Sequence, residues 1–496
     1  MEASLPISGA PVSSTRTRPS AGIKSGGHAP SITLPLAFIL TGVLALFTGA
    51  GWLIARPALL TTYHYSQNII AITHLFVLGG ICTIVMGAVY QLVPVALETK
   101  LFSERMAKVQ FAFHVVGFIG MVWMFNAWNM KQVGHFGSVL FVGVGLFVYN
   151  IARTLLRVPR WNVTATAVTA AIIWLSLAVT AGLFIAAGKC AYDAEGALTG
   201  ASGVHQMISG LRLVGAFMSH FEPLAAMNAH AHLGSVGCFT MLIVGVSYKL
   251  IPMFTLSEIQ CKTRAVLSIV LLNIGLAGAF VSILLRSPWK VPFALVLSAA
   301  LALFGIEVIA ILRARKRRVL DWGLKYFLTA IALLIPVSAL AGVLTWPGLP
   351  FNRFTGQLEN LYGFLGLIGF ISFAIIGMLY KIVPFLVWFG TYSRHVGRSR
   401  IPALADLYSE KCQIAGYLAF VSGLLATSVG IVLSNPTIVR AGCILIGISM
   451  ATLAVNLAMM LKHFFRPELK PLVSIAPRPQ QVTSASKFNR TFPSPS

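Results

Sequence analysis

Twelve apolar runs, each longer than 20 residues and most of them joined by short polar connections, dominate this 496-residue chain. In lipid every backbone N–H and C=O must find its partner inside the protein, so a continuous run of that length has one favourable solution, the membrane-spanning α-helix. The runs fall at about 33–55, 68–97, 107–128, 133–155, 163–187, 225–254, 264–286, 291–313, 322–345, 358–390, 410–434 and 436–462. They lack the alternation in ~10-residue segments that marks a transmembrane barrel. Composition agrees, with 57% hydrophobic and 10% charged residues and a mean hydropathy of +0.83. The expectation is an all-α polytopic protein of the inner (cytoplasmic) cell membrane.

The formal net charge is +24, from 37 Lys+Arg against 13 Asp+Glu, and its distribution decides what it means. With the N-terminus inside, the inner segments hold 27 Lys+Arg and the outer segments 8, while Lys249 and Lys381 lie within apolar runs. That asymmetry is the positive-inside rule, which puts both termini inside and makes Arg313, Arg315, Lys316, Arg317 and Arg318 an inner loop. The lipid bilayer therefore accounts for the basic excess, and no nucleic-acid partner is expected. Residues 1–32 and 466–496 are rich in Ser and Pro and read as disordered inner tails flanking a transmembrane domain of 33–465. The long outer connection, 188–224, has room for a surface helix with Met207, Ile208, Leu211 and Val214 around Arg212. Six scattered cysteines form neither a disulfide framework nor a CxxC site.

Three of the runs repeat one another. His74-Leu75 is followed by Gly87, Tyr90 and Pro94, and His232-Leu233-Gly234 by Gly245, Tyr248 and Pro252. Phe364-Leu365-Gly366 is followed by Gly377, Tyr380 and Pro384 at the same offsets of 13, 16 and 20, without the histidine. The repeated helices are the second, sixth and tenth, so the expected architecture is three four-helix arcs around a pseudo-threefold axis. The glycines are expected to permit close helix approach, the tyrosines to sit near the inner interface, and the prolines to end or kink each helix.

His74 falls roughly 9 Å below the outer end of its helix and His232 roughly 10 to 12 Å below its own. An imidazole at that depth needs a partner or a ligand, and neutral histidine is the commonest metal ligand. The bland alternative is a hydrogen bond to a neighbouring helix carbonyl. If the helices are symmetry-related, His74 and His232 face one central volume and are the candidate cofactor ligands. His230 and His232 are candidate metal ligands, but they stand about 200° apart round a helix and share one ion only if the helix unwinds. Met207, Met218 and Met227 interleave with His205, His220 and His230 near the outer end, a thioether and imidazole mixture suited to copper. Glu307, Lys249 and Lys381 are candidates for a proton path, set against simple snorkelling near the inner ends. Glu359 opens the tenth run on the outer side, as a helix cap or a contact for a cation.

The stretches THLFVLGGICTIVMGAVYQLVPV and AHAHLGSVGCFTMLIVGVSYKLIP, within twelve spans that have both termini inside, resemble subunit I of the haem-copper oxidase superfamily, including its cbb-type and nitric oxide reductase branches. The resemblance implies that His74 ligates a low-spin haem and that His232 is the nearest match to a ligand of the active-site metal. It breaks at the tenth helix, where the family has two haem ligands and this chain has Phe364, and at the seventh, where residues 264–286 contain no histidine. With four of six ligand positions empty, whether the chain is an enzyme is left open. Three readings follow. The first is an oxidase-like protein binding one haem or metal for electron transfer or for sensing O2, NO or redox state, with a redox partner or other membrane subunits. The second is a copper-handling or oxidase-assembly protein, and the third a cofactor-free transporter on the same scaffold.

Overall fold

The computed structural model describes residues 31–197 and 205–471, helical nearly throughout. Twelve of its helices are long and apolar enough to cross a membrane. They are α1 (Thr33–Ala55), α2 (Gln67–Ala96), α3 (Glu104–Asn126), α4 (Met130–Leu155), α5 (Val163–Ala197), α6 (Pro223–Thr255), α7 (Lys262–Leu284), α8 (Lys290–Arg313), α9 (Trp322–Thr345), α10 (Arg353–His395), α11 (Glu410–Val432) and α12 (Pro436–Phe465). A further helix, His205–Met218, lies in the long connection before α6, where a surface helix was expected. Most of the two expected tails, residues 1–30 and 472–496, lie outside the described residues. Residues 466–471, counted with the second tail, are described and touch the rest of the chain at two places. Glu468 N–H donates to Tyr392 Oη at 2.9 Å, and Lys470–Pro471 pairs antiparallel with Ser399–Arg400.

The three repeated helices form the centre. Of the most apolar window of each helix, 89% is buried in α10 and 67% in α2 and α6, against 22–44% in the other nine. Their glycines are the reason the bundle closes there. A Cβ built on Gly87 would stand 2.6 Å from Phe38 Cβ of α1, one on Gly245 would overlap Ala167 Cβ of α5, and one on Gly377 would stand 2.7 Å from Gly323 O of α9. Each repeated helix is thus pressed against the helix that precedes it, as the close-approach reading requires.

A second recurrence was not visible in the sequence. Asn150 of α4 accepts from Ser103 N at 3.1 Å and donates to Ser103 O at 2.8 Å, at the N-cap of α3. Asn456 of α12 does the same to Ser409, the N-cap of α11, at 3.0 and 3.2 Å. In the corresponding place in α8 stands Glu307, which accepts from Gln260 N at 2.6 Å and Cys261 N at 3.0 Å at the start of α7. The N-terminal N–H groups of a helix lack intrahelical partners, and here the following helix supplies the acceptor.

Each repeated helix also widens from α to π hydrogen bonding over eight residues: Leu75–Cys82, Leu233–Thr240 and Leu365–Ser372. The widening starts on the residue after His74, His232 and Phe364. It disturbs the carbonyl ladder, and hydroxyls near its end compensate. Thr83 donates to Leu78 O at 2.8 Å, Thr240 to Ser235 O at 2.9 Å and Ser372 to Leu367 O at 2.8 Å. Such π segments cluster at functional sites, and here each directly follows the repeat position that bears the imidazole or its phenyl replacement.

Candidate functional site

His74 ends the first α-helical part of α2, and its Nδ1 lies 2.7 Å from Ile70 O one turn earlier. A carbonyl only accepts, so Nδ1 carries the proton and the Nε2 lone pair is free. His230 is in the same state, because its Nδ1 lies 2.9 Å from Ala178 O of α5. Gly182 of α5 makes room for that ring, since a Cβ there would stand 2.9 Å from His230 Cε1. The two ring centroids stand 6.5 Å apart with planes 15° from parallel, and the Phe125 ring of α3 lies 4.7 Å from that of His74. Neither Nε2 has a hydrogen-bond partner among the described residues.

His232 turns elsewhere. Its Nδ1 is held 2.7 Å from Asn228 O, and its Nε2 accepts from Tyr362 Oη of α10 at 3.2 Å, with ring centroids 6.0 Å apart. The imidazole beside that of His74 is therefore His230, whereas the sequence paired His74 with His232. His230 and His232 have different partners on different helices, as their angular separation requires. The reason lies in the register. His74 on α2 meets the residue two before the repeat position of α6, and His232 on α6 meets the residue two before that of α10, Tyr362. Tyr362 was missed by sequence reasoning; the signal was present in the triplet Ile72, His230 and Tyr362, which shares one place in the three repeats.

Two nitrogens fall short of the four donors of a tetrahedral zinc site or the six to eight oxygens of calcium. No group of three or more His, Cys, Asp and Glu gathers around one point among the described residues. A pair does suit an iron whose porphyrin brings four nitrogens of its own, or a copper(I) ion.

Gln357 donates to Thr61 O at 2.9 Å and Asn360 to Thr62 O at 2.8 Å, which clasps α10 to the turn after α1. Glu359 does not cap α10; Asn352 and Thr355 do, in a reciprocal capping box. Its carboxylate lies 3.5 Å from His64 Nδ1 without hydrogen-bonding geometry. Burial holds the His64 imidazole below its ordinary pKa.

The remaining candidates are scattered. Glu307 is fully buried and, beyond its two backbone donors, is bound by Arg264 through Nε at 2.8 Å and Nη2 at 2.7 Å. Lys381 pairs with Asp321, the N-cap of α9, while Lys249 at the matching position of α6 is exposed. Burial alone would raise the Asp321 carboxyl, but the Lys381 ammonium outweighs it and holds the group below its usual range. Among the outer copper candidates, His220 is exposed with Nδ1 on Ala216 O at 2.8 Å, and the side chains of His205 and Met207 lie outside the described residues. His114, which no spacing singled out, is fully buried against the α2 π segment, with Nε2 2.9 Å from Thr83 Oγ1 and 3.2 Å from Leu78 O. No family model and no curated protein matches the chain.

Proposed function

We propose that this protein is an oxidase-like integral membrane protein that holds one haem or one metal ion between His74 and His230 and uses it for electron transfer or for sensing O2, NO or redox state. The observation that carries the reading is the pair itself: two near-parallel imidazoles 6.5 Å apart, each with Nδ1–H fixed by a carbonyl and Nε2 left free. When bound, the group would supply a one-electron couple. The chain's own residues set the tautomers, place Phe125 beside one ring, and clasp α10 to the turn after α1 through Gln357 and Asn360.

In this reading the chain is arranged as three four-helix arcs, α1–α4, α5–α8 and α9–α12, about a pseudo-threefold axis, with both termini inside and the histidine layer near the outer face. The recurring glycine contacts, π segments and N-cap clamps support it, as does the basic bias of the inner segments. The likeness to subunit I of the haem-copper oxidases supports His74 as a haem ligand. It gives no support to a binuclear oxygen-reducing centre, because the tenth- and seventh-helix ligands have no counterpart. A copper-handling role is the second reading, favoured by the two-donor set, which suits copper(I).

The test is absorption spectroscopy with metal analysis on protein purified in detergent. About one haem, or one histidine-bound copper, per chain is expected. It should be lost in His74→Ala and in His230→Ala, a drop of about 10-fold or more in occupancy, and kept in His232→Ala. Wild-type protein without haem or histidine-bound metal, or full occupancy in both of the first two variants, would overturn the proposal.

A further inference from the structure

The seam between α2, α5 and α6 that carries the histidine pair continues inward to a second set of donors. Cys82, the last residue of the α2 π segment, and Cys238, within the α6 π segment, are both free thiols, 1% and 4% exposed. Both line one small cavity of about 10 Å³, together with Met86. The rest of its wall is apolar, including Val168, Ile172 and Leu175 of α5. Ala178, whose carbonyl orients His230, lies one turn further along that same helix. Cys82 and Cys238 follow His74 and His232 by eight and six residues, so the cavity lies about 10 Å deeper than the imidazole layer.

We propose that this cavity is a binding site for a soft, bare monovalent cation, copper(I) in the cell, held by Cys82 and Cys238 with Met86 as a third sulfur. Thiol and thioether sulfur select such an ion over magnesium, calcium or a hydrated cation, which the apolar wall would strip of water without replacing it. The volume admits about one water-sized body, enough for an unhydrated ion and too little for a hydrated one. Charge sets the protonation. One thiol gives its proton to solvent and binds as thiolate, the other remains a thiol, and the complex of a thiolate with a monovalent cation is neutral, the state a low-dielectric wall favours. Gln110 Nε2 donates to Met86 Sδ at 3.2 Å, which fixes the thioether while leaving a second lone pair. The site does not depend on whether the histidine pair holds haem.

The experiment titrates silver(I), a redox-silent probe, and then copper(I), into detergent-purified protein in which Cys190, Cys261, Cys412 and Cys443 are replaced by Ser. The readouts are the sulfur-to-metal absorption band and the metal retained after gel filtration. One sulfur-bound ion per chain is expected, weakened about 10-fold or more by Cys82→Ser or Cys238→Ser and unchanged by His74→Ala. Uptake with equal affinity in Cys82→Ser and Cys238→Ser, or no sulfur-bound ion in the background protein, would overturn it. If either Ser variant fails to fold, sulfur scattering from the metal in the background protein decides, two or three sulfurs supporting the site and none refuting it. Because the histidine proposal is read from haem and metal at His74, the two proposals fail separately.

Discussion

Glu307 shows how a carboxylate is kept in the interior of this bundle. Two backbone N–H groups and the Arg264 guanidinium surround it, and its counterparts in the other two repeats are neutral asparagines. Removing one partner of such a pair is costly, whereas replacing both is cheap. Arg264→Met, which leaves the fully buried Glu307 carboxylate without its counter-charge, should therefore lose about 3–5 kcal/mol, and Glu307→Asn, which leaves only the partly exposed Arg264 unpaired, somewhat less. The double change Glu307→Asn with Arg264→Met, which copies Asn150 and Met106 of the first repeat, should recover most of the loss. Thermal unfolding in detergent across the four proteins checks this, and simple additivity would contradict it. The same scale shows what the sequence could and could not reveal. The places of His74 and His232 along their own helices were legible, because rise per residue is fixed. Their partners were not, because spacing gives the direction of a side chain round its own helix but not which neighbour that direction meets.

Helix α10 illustrates the limits of reading whole elements. The apolar run suggested 358–390, but the helix runs from Arg353 to Tyr392 and on through a short turn to His395, because its first turns are polar and stabilised by the Asn352 capping box. Apolar runs flanked by charges gave tighter agreement; for α9 the run and the helix are both 322–345. The π segments left no trace in hydropathy, since they change hydrogen bonding and not burial, and only Thr83, Thr240 and Ser372 hinted at them. Two predictions belong here. Gly377→Ala drives a methyl into the Gly323 carbonyl and should lower the unfolding temperature by several degrees, while Gly342→Ala of α9, with open space, should be neutral or stabilising by up to about 1 kcal/mol. Equal effects would remove the close-packing argument. The turn that bears His64 should loosen in acid. Burial lowers the folded-state pKa of His64, so its stabilising contribution is complete above the unfolded value of about 6.5 and is lost as pH falls toward the folded value. Between about pH 7 and 5 the wild-type unfolding temperature should fall more than that of His64→Gln, and parallel curves would contradict this.

Across the molecule, three repeats of one design diverge in the face they turn to each other. The contact from a repeat position to the next helix is imidazole to imidazole at His74 and His230, and imidazole to phenol at His232 and Tyr362. Phe364 and Ile72, both buried, occupy the corresponding places of the third junction. Only the first junction leaves two free nitrogens, and the functional proposal rests on that difference. X-ray absorption at the metal edge of the purified protein tests it most directly. The account predicts two imidazole scatterers on a haem iron or copper, falling to one or none in His230→Ala and unchanged in His232→Ala. A protein in which no metal carries a histidine in its shell, or in which a histidine is lost only in His232→Ala, would contradict it.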